Sequence, residues 1–294
     1  MKNILVTGST GFVGSHFCRR LRGEGHNVIT LPRFSNIKDM DCLKSVFSSQ
    51  SLDFIWHLAG KSSVEACQKD AKEAFETNLA GTWNMMELAL DKKVKGFFLA
   101  STDRVSGYGM ATDVGPVPLI YDVSKHCAEE IALSYYHNYR LPVSVVRLSS
   151  IFGSEDWNDG KLIPGTIQAL LNREYPKIKS PGNTARNYIY INDVVDAFSF
   201  LMSRFDQLEL AGGRFQVGYE KPITIKSLVD KLVRISGHRE YYPKEVDAVD
   251  EDAIPLPSSQ IKSVIELGWM PKYTLDEALE ETFYAYRDMK SACN

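Results

Sequence analysis

A glycine-rich stretch directly after the first apolar segment constrains the fold more than any other feature of the sequence. Asn3–Thr7 is a short strand-like run, and Gly8, Gly11 and Gly14 follow it where a helix is predicted to begin. Glycine permits a tight turn and lets backbone amides approach a phosphate, while the helix amino end adds unpaired N–H groups. This pattern predicts a pyrophosphate-binding loop. Its predicted binding residues are Gly8, Thr10, Gly11, Phe12, Val13 and Gly14.

Strand-like and helical segments alternate through the first half of the chain. Residues 71–90 and 124–139 carry apolar side chains at helical spacing. Such alternation is typical of an α/β fold with a doubly wound parallel sheet, the Rossmann architecture. The strand-like runs are Asn3–Thr7, 28–31, 54–58, 96–100 and Val143–Leu148.

The amino-acid composition of the chain changes after Leu148. Glycine, proline and asparagine become frequent, which predicts a smaller, loop-rich α/β substrate-binding lobe. Residues 188–191 followed by 193–197 read as a further strand and helix that return to the first lobe. We therefore predict a dinucleotide-binding domain over 1–148 plus about 188–205. The remaining lobe is predicted over about 149–187 and 206–294.

Composition narrows the class of protein. The 294 residues carry a formal net charge of -3, which argues against a broad basic surface for nucleic acid. The five cysteines are scattered without a C-x-x-C pair and the six histidines are dispersed, so neither a disulfide framework nor a metal site is predicted. The first apolar run is too short for a signal or membrane segment. We expect a cytoplasmic protein with no nucleic-acid or membrane partner.

The end of the second strand bears on the type of dinucleotide. An NAD site of this kind has an acidic residue about 20 positions beyond the glycines, which binds the adenosine ribose. Here the strand ends Leu31-Pro32-Arg33, without that acid. Arg33 is suited to pair with a 2′-phosphate, so we predict NAD(P) with NADP favoured. The alternative is that Arg33 is a solvated loop residue.

Tyr121 and Lys125 form a second signature. A spacing of four residues stacks both side chains on one face if they open the helix that runs through Tyr139. Tyrosine has an ordinary pKa near 10 and is a poor base at neutral pH, but a nearby ammonium stabilises its phenolate. The pair therefore predicts a tyrosine that transfers a proton.

With these motifs the chain resembles the extended short-chain dehydrogenases/reductases, in particular the NAD-dependent epimerase/dehydratase family that acts on nucleotide sugars. The resemblance implies that Thr102 hydrogen-bonds the sugar hydroxyl, Tyr121 takes its proton and Lys125 holds the nicotinamide ribose. It also implies a homodimer formed through helices 71–90 and 124–139. The further segments that carry the resemblance are 57–60, 78–82, 101–107, 186–193 and 267–271.

Three further roles follow from the same resemblance. Leu58, Ala59 and Gly60 would line the cofactor. Arg186 would bind the substrate pyrophosphate, a task suited to its planar fork, with a surface ion pair as the alternative. For Asn78, a structural hydrogen bond inside the helix layer and a catalytic part are both open.

The local match is nearest to CDP-glucose 4,6-dehydratases, through residues 121–128 and 162–167. In such enzymes C4 is oxidised and an acid–base pair after the catalytic threonine then eliminates water. Asp103 stands at the position of the acid, but Arg104 replaces the base and stays protonated. Two other reactions stay open, a nucleotide-sugar 4-epimerase and an NADPH-dependent 4-ketoreductase of a 4-keto-6-deoxy sugar nucleotide. The non-enzyme alternative is a silent cofactor-binding sensor.

Overall fold

The chain divides into two compact units in a computed structural model that describes residues 1–32, 35–107, 119–178, 182–219, 221–243 and 261–292. The first unit consists of the described parts of Met1–Leu148, Val195–Val217 and Leu256–Trp269. The second consists of the described parts of Ser149–Val194, Gly218–Pro255 and Met270–Asn294. Each unit has its own sheet and helices, so each is described by itself.

The secondary structure follows the alternation of the sequence. The strands are β1 (Asn3–Thr7), β2 (Asn27–Thr30), β3 (Phe54–His57), β4 (Gly96–Thr102), β5 (Val143–Leu148), β6 (Ser150–Phe152), β7 (Ala185–Arg186), β8 (Tyr188–Tyr190), β9 (Arg214–Val217), β10 (Ile223–Thr224) and β11 (Lys262–Ser263). The helices are α1 (Phe12–Gly23), α2 (Met40–Phe47), α3 (Val64–Lys69), α4 (Ala71–Phe75), α5 (Gly81–Lys92), α6 (Ile120–Tyr139), α7 (Leu162–Leu171), α8 (Ile191–Ser203), α9 (Ile225–Ser236) and α10 (Leu275–Ala292).

A seven-stranded sheet forms the centre of the first unit. Its strand order is β11-β9-β5-β4-β3-β1-β2, and every neighbouring pair is parallel. Every residue of β4 and β5 is buried, as expected for central strands covered by helices on both faces. The predicted doubly wound α/β fold is confirmed.

The two faces of this sheet are packed differently because neighbouring residues of a strand point to opposite sides. On one face Trp56 stacks on Phe98 and on Phe198 of α8, with ring centroids 4.1 and 4.3 Å apart. On the other face Ile55 and Phe97 belong to a mainly aliphatic cluster that includes residues of α5 and α6. The second face therefore holds the helix that carries Tyr121 and Lys125.

Two predicted segments differ in the structure. The helix expected over 71–90 is divided into α4, a π-helical turn over Glu76–Ala80, and α5. The strand at Tyr188–Tyr190 pairs in parallel with β6 inside the second unit, because its backbone groups find their hydrogen-bonding partners in Ser150–Phe152. The first unit accordingly includes Val195–Val217 and the described part of Leu256–Trp269, where the sequence predicted 188–205.

The second unit contains two small sheets and the helices α7, α9 and α10. Strands β6 and β8 are parallel, and β7 and β10 are antiparallel. Helix α9 starts where the Thr224 hydroxyl accepts from the Ser227 amide, and it ends at Gly237, whose φ of 74° glycine adopts without strain. None of the helices in the described part of the chain has the length and apolar character needed to cross a membrane.

Candidate active site

The glycine loop packs directly against the segment that follows β3. Gly8 has a φ of 69°, and a Cβ atom there would lie 2.7 Å from the Ala59 amide nitrogen. A Cβ atom on Gly14 would lie 2.1 Å from the Gly8 carbonyl oxygen, so neither position accepts a side chain without movement of backbone. Helix α1 begins at Phe12, and Gly11 at its N-cap provides no side-chain cap. The amides of this first turn are therefore oriented as a phosphate site requires.

The structure brings together the predicted cofactor-binding residues on both sides of this loop. Strands β1 and β3 are neighbours, so their carboxyl ends meet at one edge of the sheet. Residues 58–60 leave β3 beside the loop, and a Cβ atom on Gly60 would lie 3.8 Å from the Lys125 Nζ atom. Thr10 and Gly11 are exposed at the tip of the loop. Arg33 lies outside the described residues.

A chain of buried hydrogen bonds links the end of β1 to the π-helical turn. The Thr7 hydroxyl accepts from the Ala59 amide (3.1 Å) and lies 2.7 Å from His57 Nδ1. On the other side of the ring, Nε2 lies 3.2 Å from the Thr82 hydroxyl, which donates to the Asn78 carbonyl (2.6 Å). Burial lowers the pKa of His57 to about 3. The ring is therefore neutral. Because the Thr82 hydroxyl already donates its proton to the Asn78 carbonyl, it can only accept from Nε2, and the ring proton is assigned to that nitrogen.

Asn78 holds the loop after β3 against the helix that carries Tyr121. Its Oδ1 accepts from the Lys61 amide (2.8 Å), and its Nδ2 donates to the Lys61 carbonyl (3.1 Å) and to the Ser124 hydroxyl (2.9 Å). Ser124 in turn donates to the Tyr121 carbonyl. Because both polar atoms of the Asn78 side chain are used in this way, the geometry favours the structural alternative for this residue.

Tyr121 and Thr102 face each other at the carboxyl end of β4. Thr102 ends the strand, and Tyr121 lies in the first turn of α6. The helix therefore begins early enough to place Tyr121 and Lys125 one turn apart, as predicted. The two side chains share a hydrogen bond. Burial raises the pKa of Tyr121 above its usual value, and the hydrogen bond from Thr102 opposes that rise. The Tyr121 phenol is therefore protonated at neutral pH.

Lys125 lies one turn further along α6, on the same face as Tyr121. Its Nζ atom donates to the Ala100 carbonyl oxygen at 2.6 Å. Burial lowers the pKa of Lys125 to about 8, and the negative charge of Glu129 opposes that change. The side chain is therefore still mainly an ammonium at pH 7, beside Gly60 and the predicted cofactor-lining segment.

Asp103 and Arg104 begin the short 3-10 turn Asp103–Gly107 after Thr102 and have different environments. Asp103 is buried, and Thr102 Oγ1 lies 3.4 Å from its Oδ1. Arg104 Nε donates to Asp122 Oδ1 (2.8 Å), and its Nη2 donates to Asp122 Oδ2 (3.2 Å). This two-point ion pair stabilises the protonated guanidinium, so Arg104 is unsuited to remove a proton.

The second unit contains a cavity of about 770 Å³, within the range of small-molecule sites. Arg186 of β7, the segment Lys161–Gly165 at the start of α7, and Lys177 line it. The Lys161 Nζ atom also pairs with Asp156 Oδ2 at 2.8 Å. Arg186, the residue predicted to bind the pyrophosphate, thus lines a concave site together with the basic side chains of Lys161 and Lys177.

Two other sequence-based expectations concern metals and assembly. Within the described ranges, no group of three or more histidine, cysteine or acidic side chains is arranged to hold a metal ion. On the helices expected to form a dimer, Trp83 of α5 and Tyr139 of α6 are 55% and 60% exposed. The homodimer stays a prediction.

Comparison with known proteins adds to this geometry. Residues 4–218 match the NAD dependent epimerase/dehydratase family. The dTDP-D-glucose 4,6-dehydratase of Dictyostelium discoideum is 28% identical over 277 residues, covering 80% of this chain but only 62% of that longer protein. The UDP-glucuronic acid decarboxylase 1 of Danio rerio is 28% identical over 326 residues, covering 100% of this chain and 75% of that protein.

Solved structures resemble the chain over nearly its full length. The UDP-glucose 4-epimerase of Thermotoga maritima with UDP-glucose has a TM-score of 0.81 at 24% identity, covering 98% of this chain and 99% of that one. The dTDP-glucose 4,6-dehydratase of Bacillus anthracis in complex with NAD has a TM-score of 0.79 at 22% identity, covering 99% and 98%. RMD of Pseudomonas aeruginosa complexed with NADPH scores 0.77 at 21% identity, covering 98% and 100%. At these identities the likeness shows a shared fold.

Proposed function

Because the chain belongs to the NAD-dependent epimerase/dehydratase family, we propose that it binds NAD(P) and oxidises C4 of a hexose carried on a nucleotide. The observation that carries this proposal is the position of Tyr121, Thr102 and Lys125 at the same sheet edge as the glycine loop. In parallel α/β sheets, ligands bind outside the carboxyl ends of the strands. The first-unit site and the Arg186 cavity would then bind cofactor and sugar nucleotide, respectively.

The residues of the chain suit the binding of the cofactor. The Gly8–Gly14 loop is so closely packed that no Cβ atom fits at Gly8 or Gly14, and the first turn of α1 offers amides to the pyrophosphate. Lys125 offers an ammonium beside Gly60 for the ribose hydroxyls. Bound NAD(P) would supply the hydride acceptor for the sugar carbon.

Proton transfer would fall to Tyr121. Burial of Tyr121 keeps its phenol protonated. Its use as a base therefore requires more positive charge near it in the complete complex. In the structure the cation that opposes the rise in its pKa is Arg104, and Lys125 lies one turn further along the same helix. Thr102, hydrogen-bonded to Tyr121, would orient the sugar hydroxyl toward the phenolic oxygen.

Within this class we place a 4,6-dehydratase reaction of the CDP-glucose type first. Asp103 supports it, because a buried carboxyl beside Thr102 is suited to protonate the departing C6 hydroxyl. Removal of the C5 proton would need a group other than Arg104, whose guanidinium is paired with Asp122. That ion pair is also the observation that favours the second candidate, a 4-epimerase, which needs no base at C5.

The identity of the product separates these reactions. Purified protein is incubated with CDP-glucose, and then with other sugar nucleotides, in the presence of NAD⁺ or NADP⁺, and products are identified by NMR and mass spectrometry. A dehydratase is expected to release a 4-keto-6-deoxy sugar nucleotide without net reduction of the cofactor. A ketoreductase would instead consume NADPH only with a 4-keto substrate, and a sensor would bind cofactor without turnover.

Asp103→Asn should suppress dehydration by about 100-fold or more, because the amide cannot protonate the leaving hydroxyl. The matched control is Asp91→Asn, which removes a largely exposed carboxylate on α5 and should leave turnover unchanged. Accumulation of C4 epimers without any keto product, in both variants alike, would exclude the dehydratase and support the epimerase.

We further propose a preference for NADP, from the missing ribose-binding acid and the presence of Arg33. Arg33→Ala should weaken NADP binding by about 10-fold or more and leave NAD binding nearly unchanged, because only NADP carries the 2′-phosphate. The measurement is isothermal titration of both dinucleotides, with Arg22→Ala on the exposed surface of α1 as control. Equal losses for both dinucleotides would contradict the preference.

A further inference from the structure

Three neighbouring residues of β4 contact one face of α6. These residues form the carboxyl end of the strand, next to the predicted cofactor site. The contacts therefore set the register of the helix on the strand as well as its distance. Each contact is one helical turn from the next, and the pairs are Tyr121 with Thr102, Lys125 with the Ala100 carbonyl, and Glu129 with Ser101.

Glu129 makes the third contact and is fully buried. Its Oε1 accepts from the Ser101 hydroxyl and from Arg147 Nε (2.9 Å), and its Oε2 accepts from Arg147 Nη2 (2.7 Å) and Arg214 Nε (3.2 Å). Arg147 belongs to β5 and Arg214 to β9. One carboxylate thus ties α6 to three adjacent strands.

A buried network of this kind is poor evidence for stability, because removing two charges from water offsets most of their attraction. Fully satisfied buried networks instead favour one arrangement of the parts they join. Here the parts are α6 and the end of β4, which carry the proposed base and the residue that orients the sugar hydroxyl.

We propose that Glu129 is a positioning residue for the reaction, which sets the register of Tyr121 and Lys125 on β4 and keeps a negative charge one turn from the Lys125 ammonium. This inference rests on the proposed function of Tyr121 and Lys125. Neither the spacing of the signature nor the glycine loop requires an acid at this position.

The charges around Lys125 make the electrostatic part testable. Besides Glu129 on its own helix, the titratable groups that act with Lys125 are Cys67 of α3 and His57 of β3. Burial raises the pKa of the Cys67 thiol and lowers the pKa of His57 to about 3, so both are neutral near pH 7. Glu129 is therefore the group whose charge favours the ammonium.

The test is Glu129→Gln, which keeps the length of the side chain and removes its charge. Turnover should fall about 10- to 100-fold through misplacement of Tyr121, while the KM for the sugar nucleotide changes by less than about threefold. In protein labelled with ¹³C at lysine Cε, the Lys125 resonance, assigned by its absence in Lys125→Arg, should titrate about one pH unit lower. That titration is measured without cofactor or substrate.

Two further variants make the outcome decisive. Glu130→Gln, at the half-exposed neighbour that also pairs with Arg214, should leave both readouts unchanged. Glu129→Gln combined with Arg147→Met removes the more buried of the two arginines that lose Glu129, while Arg214 keeps Glu130 as a partner. The double variant therefore keeps the measurement available if the single variant does not fold. A Lys125 titration unchanged in Glu129→Gln, or in the double variant where it replaces the single one, overturns the inference. Absence of any sugar turnover in the unaltered protein would instead refute the proposed function, and the titration alone would then decide the role of Glu129.

Discussion

Tyr121→Phe is expected to lower turnover by about 10³-fold while the affinity for NAD(P) stays within about threefold. The substitution removes only the phenolic oxygen, which faces Thr102 rather than the glycine loop. Rates are measured with the sugar nucleotide that the product analysis identifies, and binding by isothermal titration. Lys125→Ala should reduce both quantities, because its ammonium lies beside Gly60 in the cofactor-lining segment.

The matched control for this prediction is Tyr135→Phe on the same helix. The Tyr135 hydroxyl bonds with Glu87 and Trp83 of α5, more than three helical turns from Tyr121, so its loss should leave turnover close to that of the unaltered protein. Near-normal turnover of Tyr121→Phe would show that another group transfers the proton. The assignment of Thr102 would then also lose its basis.

Gly14→Ala is expected to weaken NAD(P) binding by about 100-fold and to lower stability by about 1–3 kcal/mol. The added methyl group would lie 2.1 Å from the Gly8 carbonyl oxygen. Because this oxygen belongs to the backbone, the clash is relieved only if the whole loop moves. Displacement of the loop carries the first-turn amides of α1 away from the pyrophosphate. Thermal unfolding and dinucleotide titration measure the two effects.

Gly23→Ala is the control, because it lies at the other end of α1 and a Cβ atom there meets no atom within 4 Å. It should leave dinucleotide affinity unchanged. If Gly14→Ala binds NAD(P) as the unaltered protein does, the loop does not form the pyrophosphate site, whatever the family match implies.

Much of this architecture was accessible from the sequence because it depends on local pattern. The glycines after β1, the alternation of strands and helices, and the spacing of Tyr121 and Lys125 are properties of short segments. Short segments determine which turns, strands and helices form. The π-helical turn at Glu76–Ala80 was missed, since one extra residue in a helical turn leaves the apolar pattern on both sides almost intact.

The sequence by itself therefore determined the doubly wound fold, the position of the glycine loop and the residues proposed for proton transfer. Only the tertiary structure decided how these residues are held and charged. Arg104 meets Asp122, His57 lies between Thr7 and Thr82, and Glu129 binds arginines of β5 and β9, each across at least 18 positions of chain. Hydrogen bonds and burial act through distance in space, and residues that are far apart in sequence become neighbours only when the strands take their order in the sheet.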